Sequence, residues 1–203
     1  MKRNSSKLKV IEAASVLFYQ KGFNGTSVRD IADYADVNVS LISYYFQNKQ
    51  GLLEYAVTNY YESYLQAIEA LHQDEKLDHP VDQLKQIVST IIQYKQTHQQ
   101  LSCLIHRELS LDSVFVREVT VTYLAKENYY IREAFFNVLP ERLKTNYQRQ
   151  FLYLQFKGML AAPYVLHNEW KNQSMDQYSD QRFAEQYART IHAWIDHLTD
   201  EAI

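Results

Sequence analysis

Seven histidines are the first residues that could do chemistry: His72, His79, His98, His106, His167, His192 and His197. No two of them form an H-x-x-x-H or H-E-x-x-H pair, so their spacing builds no zinc hydrolase. Cys103 and His106 lie three residues apart and share a face if that segment is helical. A thiolate–imidazole dyad needs a third group to orient it, and no signature supplies one. A single cysteine also excludes a disulfide framework and a cysteine-based zinc site. Neither G-x-G-x-x-G nor G-x-x-x-x-G-K-[ST] occurs, so no nucleotide cofactor is expected. The expectation is a protein that is not an enzyme and holds no cofactor or metal.

A second kind of chemistry is written in the charge. The chain carries a net charge of -3, but unevenly. Residues 1–50 hold 7 Lys/Arg against 4 Asp/Glu, and residues 51–203 hold 14 against 20. Lys2, Arg3, Lys7 and Lys9 open the chain. A basic end on an acidic body suits a polyanion partner, although a solvated tail would look the same.

The elements that must position such residues are helical. In 203 residues there are only 4 Gly and 3 Pro, against roughly 24 on average usage. So few turn formers argue against an all-β fold. No apolar run approaches the roughly 18 residues of a membrane span. The basic start has no apolar stretch behind it, so no signal peptide is expected. A cytoplasmic location follows as an expectation.

Leu8, Ile11, Ala14, Leu17 and Phe18 place a first helix over about residues 5–21, with Gly22 as a left-handed C′ residue. Ser27 and Asp30 have capping-box spacing for a short second helix through Val28, Ile31, Ala32 and Ala35. Asp36-Val37-Asn38 breaks it, and Asn38 can cap a third short helix over about 39–45. Two short helices joined by a tight turn have the spacing of a helix-turn-helix. Asp36 stands where the turn often has Gly, and Asp tolerates the left-handed region better than most residues. Long helices follow over about 49–72, from Pro80 to about 98, and over about 101–110. Three more are expected from Asp112 to Phe136, over 145–167 and over 179–199.

The run from Gly22-Phe23-Asn24-Gly25-Thr26-Ser27 through Val37-Asn38 to Tyr44-Tyr45-Phe46-Gln47-Asn48-Lys49 and Leu52-Leu53 resembles the DNA-binding domain of the TetR family. The family pattern is roughly G-x-x-x-T-[ST]-x-x-x-I-A-x-x-A-G-V-S, an aromatic pair and Phe, then x-x-K-x-x-L. It is met in register over about 50 residues. The departures are Asp36 for Gly, Asn38 for Ser, and Ser43 where Tyr is frequent. The blocks 38–46, 106–108 and 117–118 also resemble the RefZ-like group within the family, DNA-binding regulators of cell division in sporulating bacilli.

The resemblance implies an all-α fold, with a helix-turn-helix domain at 1–50 and a helical ligand-binding and dimerisation domain at 51–203. It implies a transcriptional regulator that binds double-stranded DNA as a homodimer, a repressor on a palindromic operator. A small-molecule effector and a protein partner are further partners it leaves open. Carried over residue by residue, Val39, Ser40, Leu41, Ser43 and Tyr44 are the base readers. Thr26, Ser27, Arg29, Tyr45, Asn48 and Lys49 are the phosphate clamps, with Lys2, Arg3, Lys7 and Lys9 adding charge. Without Arg, Asn or Gln on the face beyond the cap, direct readout should be weak and DNA shape should matter more. Thr26 and Ser27 also read as plain helix caps.

The family dimer uses its last two long helices, which nominates Leu152, Phe156, Met159, Phe183, Tyr187, Ile191, Trp194 and Leu198 as the seam. The 17 tyrosines could line an effector pocket, but filling the core and rim of a bundle is the favoured reading. Pro163 predicts a helix kink. Arg107-Glu108 and Arg117-Glu118 read as solvated charges or, less favoured, as a surface for a protein partner.

Overall fold

The computed structural model of the chain describes residues 2–73, 79–108, 118–140, 146–167, 169 and 180–200. Among them there is no strand. Helices α1 (Lys2–Lys21), α2 (Val28–Ala35), α3 (Ser40–Phe46), α4 (Lys49–His72), α5 (Pro80–Thr97) and α6 (Gln99–Glu108) come first. A π-helical turn, Thr120–Leu124, then leads into α7 (Ala125–Asn137), and α8 (Asn146–Val165) and α9 (Asp180–Thr199) follow. The expected cap at Asp112, and Arg117 and Trp170, lie outside the described residues. So do the side chains of Lys2 and Arg3.

Local chemistry sets the boundaries. Gly22 ends α1 at φ 77°, a conformation that suits glycine. Ser27 caps α2 in a full capping box: Asp30 N–H donates to Ser27 Oγ at 3.1 Å, and Ser27 N–H donates to Asp30 Oδ2 at 2.8 Å. Asp36 ends α2 in the left-handed region at φ 52°, ψ 54°, as the sequence suggested. Pro80 opens α5 at its first turn.

The chain forms two compact units, Met1–Glu62 with Gln99–Val116, and Ser63–His98 with Arg117–Ile203. This differs from a division at residue 50. The first turns of α4 stay with α1–α3, since Leu52, Leu53, Ala56 and Val57 are buried. Helix α6 joins the same unit by packing on α1. The buried face of α1 is Val10, Ala13, Ala14, Leu17 and Phe18, while Leu8 is exposed.

In the second unit α5 packs along α9, and also on α7 and α8. Ile87, Ile91, Ile92, Phe135, Phe156, Ile191 and Ile195 are buried there. Phe135 and Phe156 stack at 4.8 Å, and Trp194 lies parallel to both at 6.3 and 6.2 Å. Each such buried apolar side chain contributes about 1.5–3 kcal/mol. Pro163 stands inside α8 and has no N–H for the carbonyl of Met159. The Tyr187 hydroxyl donates to that carbonyl instead, at 2.8 Å.

Candidate nucleic-acid interface

Helix α3 is short, and its two faces are sharply different. Ile42 and Phe46, four residues apart, point inward and are buried. Val39, Ser40, Ser43 and Tyr44 are exposed, Tyr44 at 69%, while Leu41 and Tyr45 are half-buried. The five nominated readers therefore lie together on or beside one outward face. The Asn38 carboxamide oxygen accepts the Ser40 N–H at 2.9 Å, so Asn38 supplies the expected capping bond.

Behind α3 the chain makes a tight joint. Gln47 sits at φ 66°, ψ -53°, and Asn48 N–H donates to the Phe46 carbonyl at 2.8 Å. That is a γ-turn of the rare positive-φ kind. Asn48 Oδ1 then accepts the Gly51 N–H at 2.9 Å, capping α4. A Cβ on Gly51 would come within 2.3 Å of the Phe46 carbonyl oxygen, so only glycine lets α4 start so close to the end of α3.

Two nominated phosphate clamps face inward. Thr26 is 1% exposed, and its hydroxyl lies within 3.1 Å of the Leu17 carbonyl and 2.8 Å of the Gly22 carbonyl. It closes the end of α1 and has no surface for phosphate. Lys49 Nζ donates to the carbonyls of Phe23 and Thr26 at 2.7 and 2.8 Å, and lies 4.4 Å above the Phe23 ring. Its charge satisfies the carbonyls of the turn between α1 and α2, so it is a structural cation first. Lys7 similarly sits 3.9 Å over the Tyr55 ring.

The remaining nominees stay outside. Ser27, Arg29, Asn48 and Lys9 are exposed. The Ser27 hydroxyl already donates to Asp30 Oδ2 at 2.6 Å. The Ser27 bonds hold the Asp30 carboxyl below its ordinary value.

Residue reasoning missed the role of Arg107. Its guanidinium donates to the Phe18 carbonyl at 2.8 Å and the Tyr19 carbonyl at 3.2 Å. It thus ties α6 to the carbonyl end of α1, where a cation is favoured. Nothing in the sequence marks a residue at 107 as the partner of a helix ending at 21.

The second unit corrects the seam. Phe156 is 0% and Ile191 1% exposed within the chain itself, so neither has surface to share with another copy. Both are core residues. Leu152, Met159, Phe183, Tyr187, Trp194 and Leu198 are half-buried. The uncovered apolar side chains of α8 are instead Tyr147, Phe151, Leu154 and Val165.

The same unit holds a buried charge cluster that composition did not reveal. Glu127 accepts the Tyr64 hydroxyl at 2.7 Å and lies 3.8 Å from Lys95 Nζ and 3.5 Å from Lys157 Nζ. Burial pushes the Lys95 ammonium below its ordinary pKa, with Glu127 opposing. A groove of about 610 Å³ lies between α5 and α9, bordered by Gln86, Gln93, Tyr94, His98, Arg189 and His192 among others. Among the described residues no group of three or more His, Cys, Asp or Glu could hold a metal ion, and no helix is long and apolar enough to cross a membrane.

Comparison with known proteins agrees with this geometry. Residues 10–56 match the family model for bacterial regulatory proteins of the tetR family. The chain is 38% identical over 198 residues to the probable HTH-type transcriptional regulator YttP of Bacillus subtilis, covering 94% of this chain and 92% of that one. It is 31% identical over 86 residues to IcaR of Staphylococcus aureus, a negative regulator of the biofilm operon icaADBC, covering 42% of this chain and 45% of that one. Among solved structures, PfmR of Thermus thermophilus, a TetR family transcriptional regulator, superposes with a TM-score of 0.73 at 17% identity, over 95% of this chain and 99% of that one.

Proposed function

The chain belongs to the tetR family of bacterial regulatory proteins, and on that premise we propose that it is a homodimeric repressor whose α3 enters the DNA major groove at each half of a palindromic operator. The observation that carries this reading is the division of α3. Ile42 and Phe46 anchor it, and Val39, Ser40, Ser43 and Tyr44 stand free on the opposite face. A recognition helix needs one face locked and one face open to base edges. Ser40 and Ser43 can bond either base type, and Val39 and Leu41 can meet thymine methyls. Arg29, Lys9 and the Asn48 amide are the phosphate contacts, with Tyr45 at the edge.

IcaR, named a negative regulator, supports repression over activation. The protein works in the cytoplasm, associated with the nucleoid. The groove between α5 and α9 is the site offered to a small effector that would release the operator. Its volume is that of a small-ligand site. A pair of apolar faces from two copies completes the dimer.

Genome-wide mapping of bound sites tests the proposal. Sites at promoters, with two half-sites spaced about one helical turn or a multiple apart, are expected. Sites scattered away from promoters would sink the repressor and point to the RefZ-like role in cell division.

A further inference from the structure

We infer that Asn38, in the turn between α2 and α3, is itself a base reader and selects an adenine in each half-site. The inference rests on the reading of α3 as the groove helix and adds to it a direct, two-point contact that the serines cannot make.

The argument begins with the cap. Asn38 Oδ1 accepts the Ser40 N–H at 2.9 Å. A backbone N–H can only donate, so the oxygen must face it and the –NH2 must face away. The bond fixes the orientation of the amide before any DNA arrives. Asn38 is exposed, as are its neighbours Val39 and Ser40. A carboxamide oxygen has two lone pairs and the cap uses one. One lone pair and two N–H groups therefore remain for a ligand. Adenine presents an N6–H donor and an N7 acceptor side by side in the major groove, and a carboxamide is the side chain that answers both. A side chain already locked by its cap loses little rotamer entropy on binding.

A serine at this position would cap equally well but would lack the second contact. An aspartate would also cap and would keep an acceptor, yet it could not donate to N7. An acidic side chain accepts from the cytosine N4–H2 instead.

Selection of duplexes from a random pool by the full-length protein is the test. The wild type should enrich a motif with an adenine at one position of each half-site. Asn38→Asp should lose that adenine and gain cytosine there, and Asn38→Ser should lose the preference without replacing it. Against the wild-type motif each variant should bind about tenfold more weakly per altered half-site. Melting should hardly change, because all three residues cap. If the wild type enriches a motif and both variants enrich the same one, Asn38 is only a cap and the inference is overturned, while the groove reading of α3 stands. If the wild type enriches no motif at all, both fall together.

Discussion

Lys49 bonds two backbone carbonyls of the turn between α1 and α2, and this decides what its removal should do. The ammonium holds Phe23 O and Thr26 O at 2.7 and 2.8 Å, and hydrogen bonds to a charged donor are worth about 1.5–3 kcal/mol each when lost. Lys49→Ala should lower the stability of the first unit by a few kcal/mol at most, read by chemical denaturation. Its DNA affinity should fall only as far as folding falls, with the salt slope unchanged. A slope reduced by about one phosphate unit would return Lys49 to the contact set. Gln47 carries strain of the opposite kind. A non-glycine residue at φ 66° costs about 1–2 kcal/mol, and the γ-turn gives nothing back through its side chain. Gln47→Gly should therefore raise the melting temperature, and a lower one would mean that the Gln47 side chain supports the joint.

At the scale of elements, helices α5 and α9 carry the pH dependence. His192 Nε2 lies 2.9 Å from the Lys85 carbonyl, which can only accept, so Nε2 bears the hydrogen. Burial lowers the pKa of His192 from its ordinary 6.5, helped by Lys85 and opposed by that bond and Asp196. Burial alone lowers His98, the residue that ends α5. A histidine with a depressed folded pKa binds fewer protons folded than unfolded. Its stabilising effect is thus full above pH 6.5 and is lost as pH falls from there towards the folded values. Denaturation of the chain should show stability dropping as pH falls below about 6.5. His192→Gln, which keeps a donor for Lys85, should make that drop shallower; an unchanged profile would remove His192 from the account. These elements also show what the sequence could disclose. Caps are local, so Ser27, Asp36, Asn38 and Pro80 announced their helix ends. The family motif spans residues adjacent in the chain, so the open face of α3 was legible as well. Lys49 to Phe23, and Arg107 to Phe18, are pairs that only tertiary folding brings together. Their partners are backbone carbonyls, which no residue type reports. The π-helical turn at Thr120–Leu124 likewise leaves no mark in hydrophobic spacing.

For the whole molecule the proposed dimer needs a face on which two copies would meet. One recognition helix touches few base pairs, and two-fold symmetry doubles the site. Helix α8 reads Phe151-Leu152-Tyr153-Leu154-Gln155-Phe156, apolar on nearly every side. Periodicity in such a run cannot say which face goes inward. The structure turns Tyr153, Phe156 and Leu160 into the core and leaves Tyr147, Phe151, Leu154 and Val165 outside, at 79, 61, 68 and 60% exposure. These four recur at helical spacing, so they line one face. A contiguous apolar face of this kind is what a second copy would cover. Trp194 belongs to a different layer, parallel to Phe135 and Phe156. The two sites should therefore respond differently to the same insult. Phe151→Glu with Leu154→Glu places charge only on surface, so the protein should become monomeric and keep its melting temperature apart from the loss due to dissociation. Trp194→Glu puts a charge at a half-buried position against two buried rings and should destabilise the second unit. Sedimentation at micromolar concentration, read with circular dichroism, separates the cases. A double variant that stays dimeric would move the seam off this face of α8. A wild-type chain that sediments as a monomer would leave each α3 to read its half-site alone and would end the two-copy model.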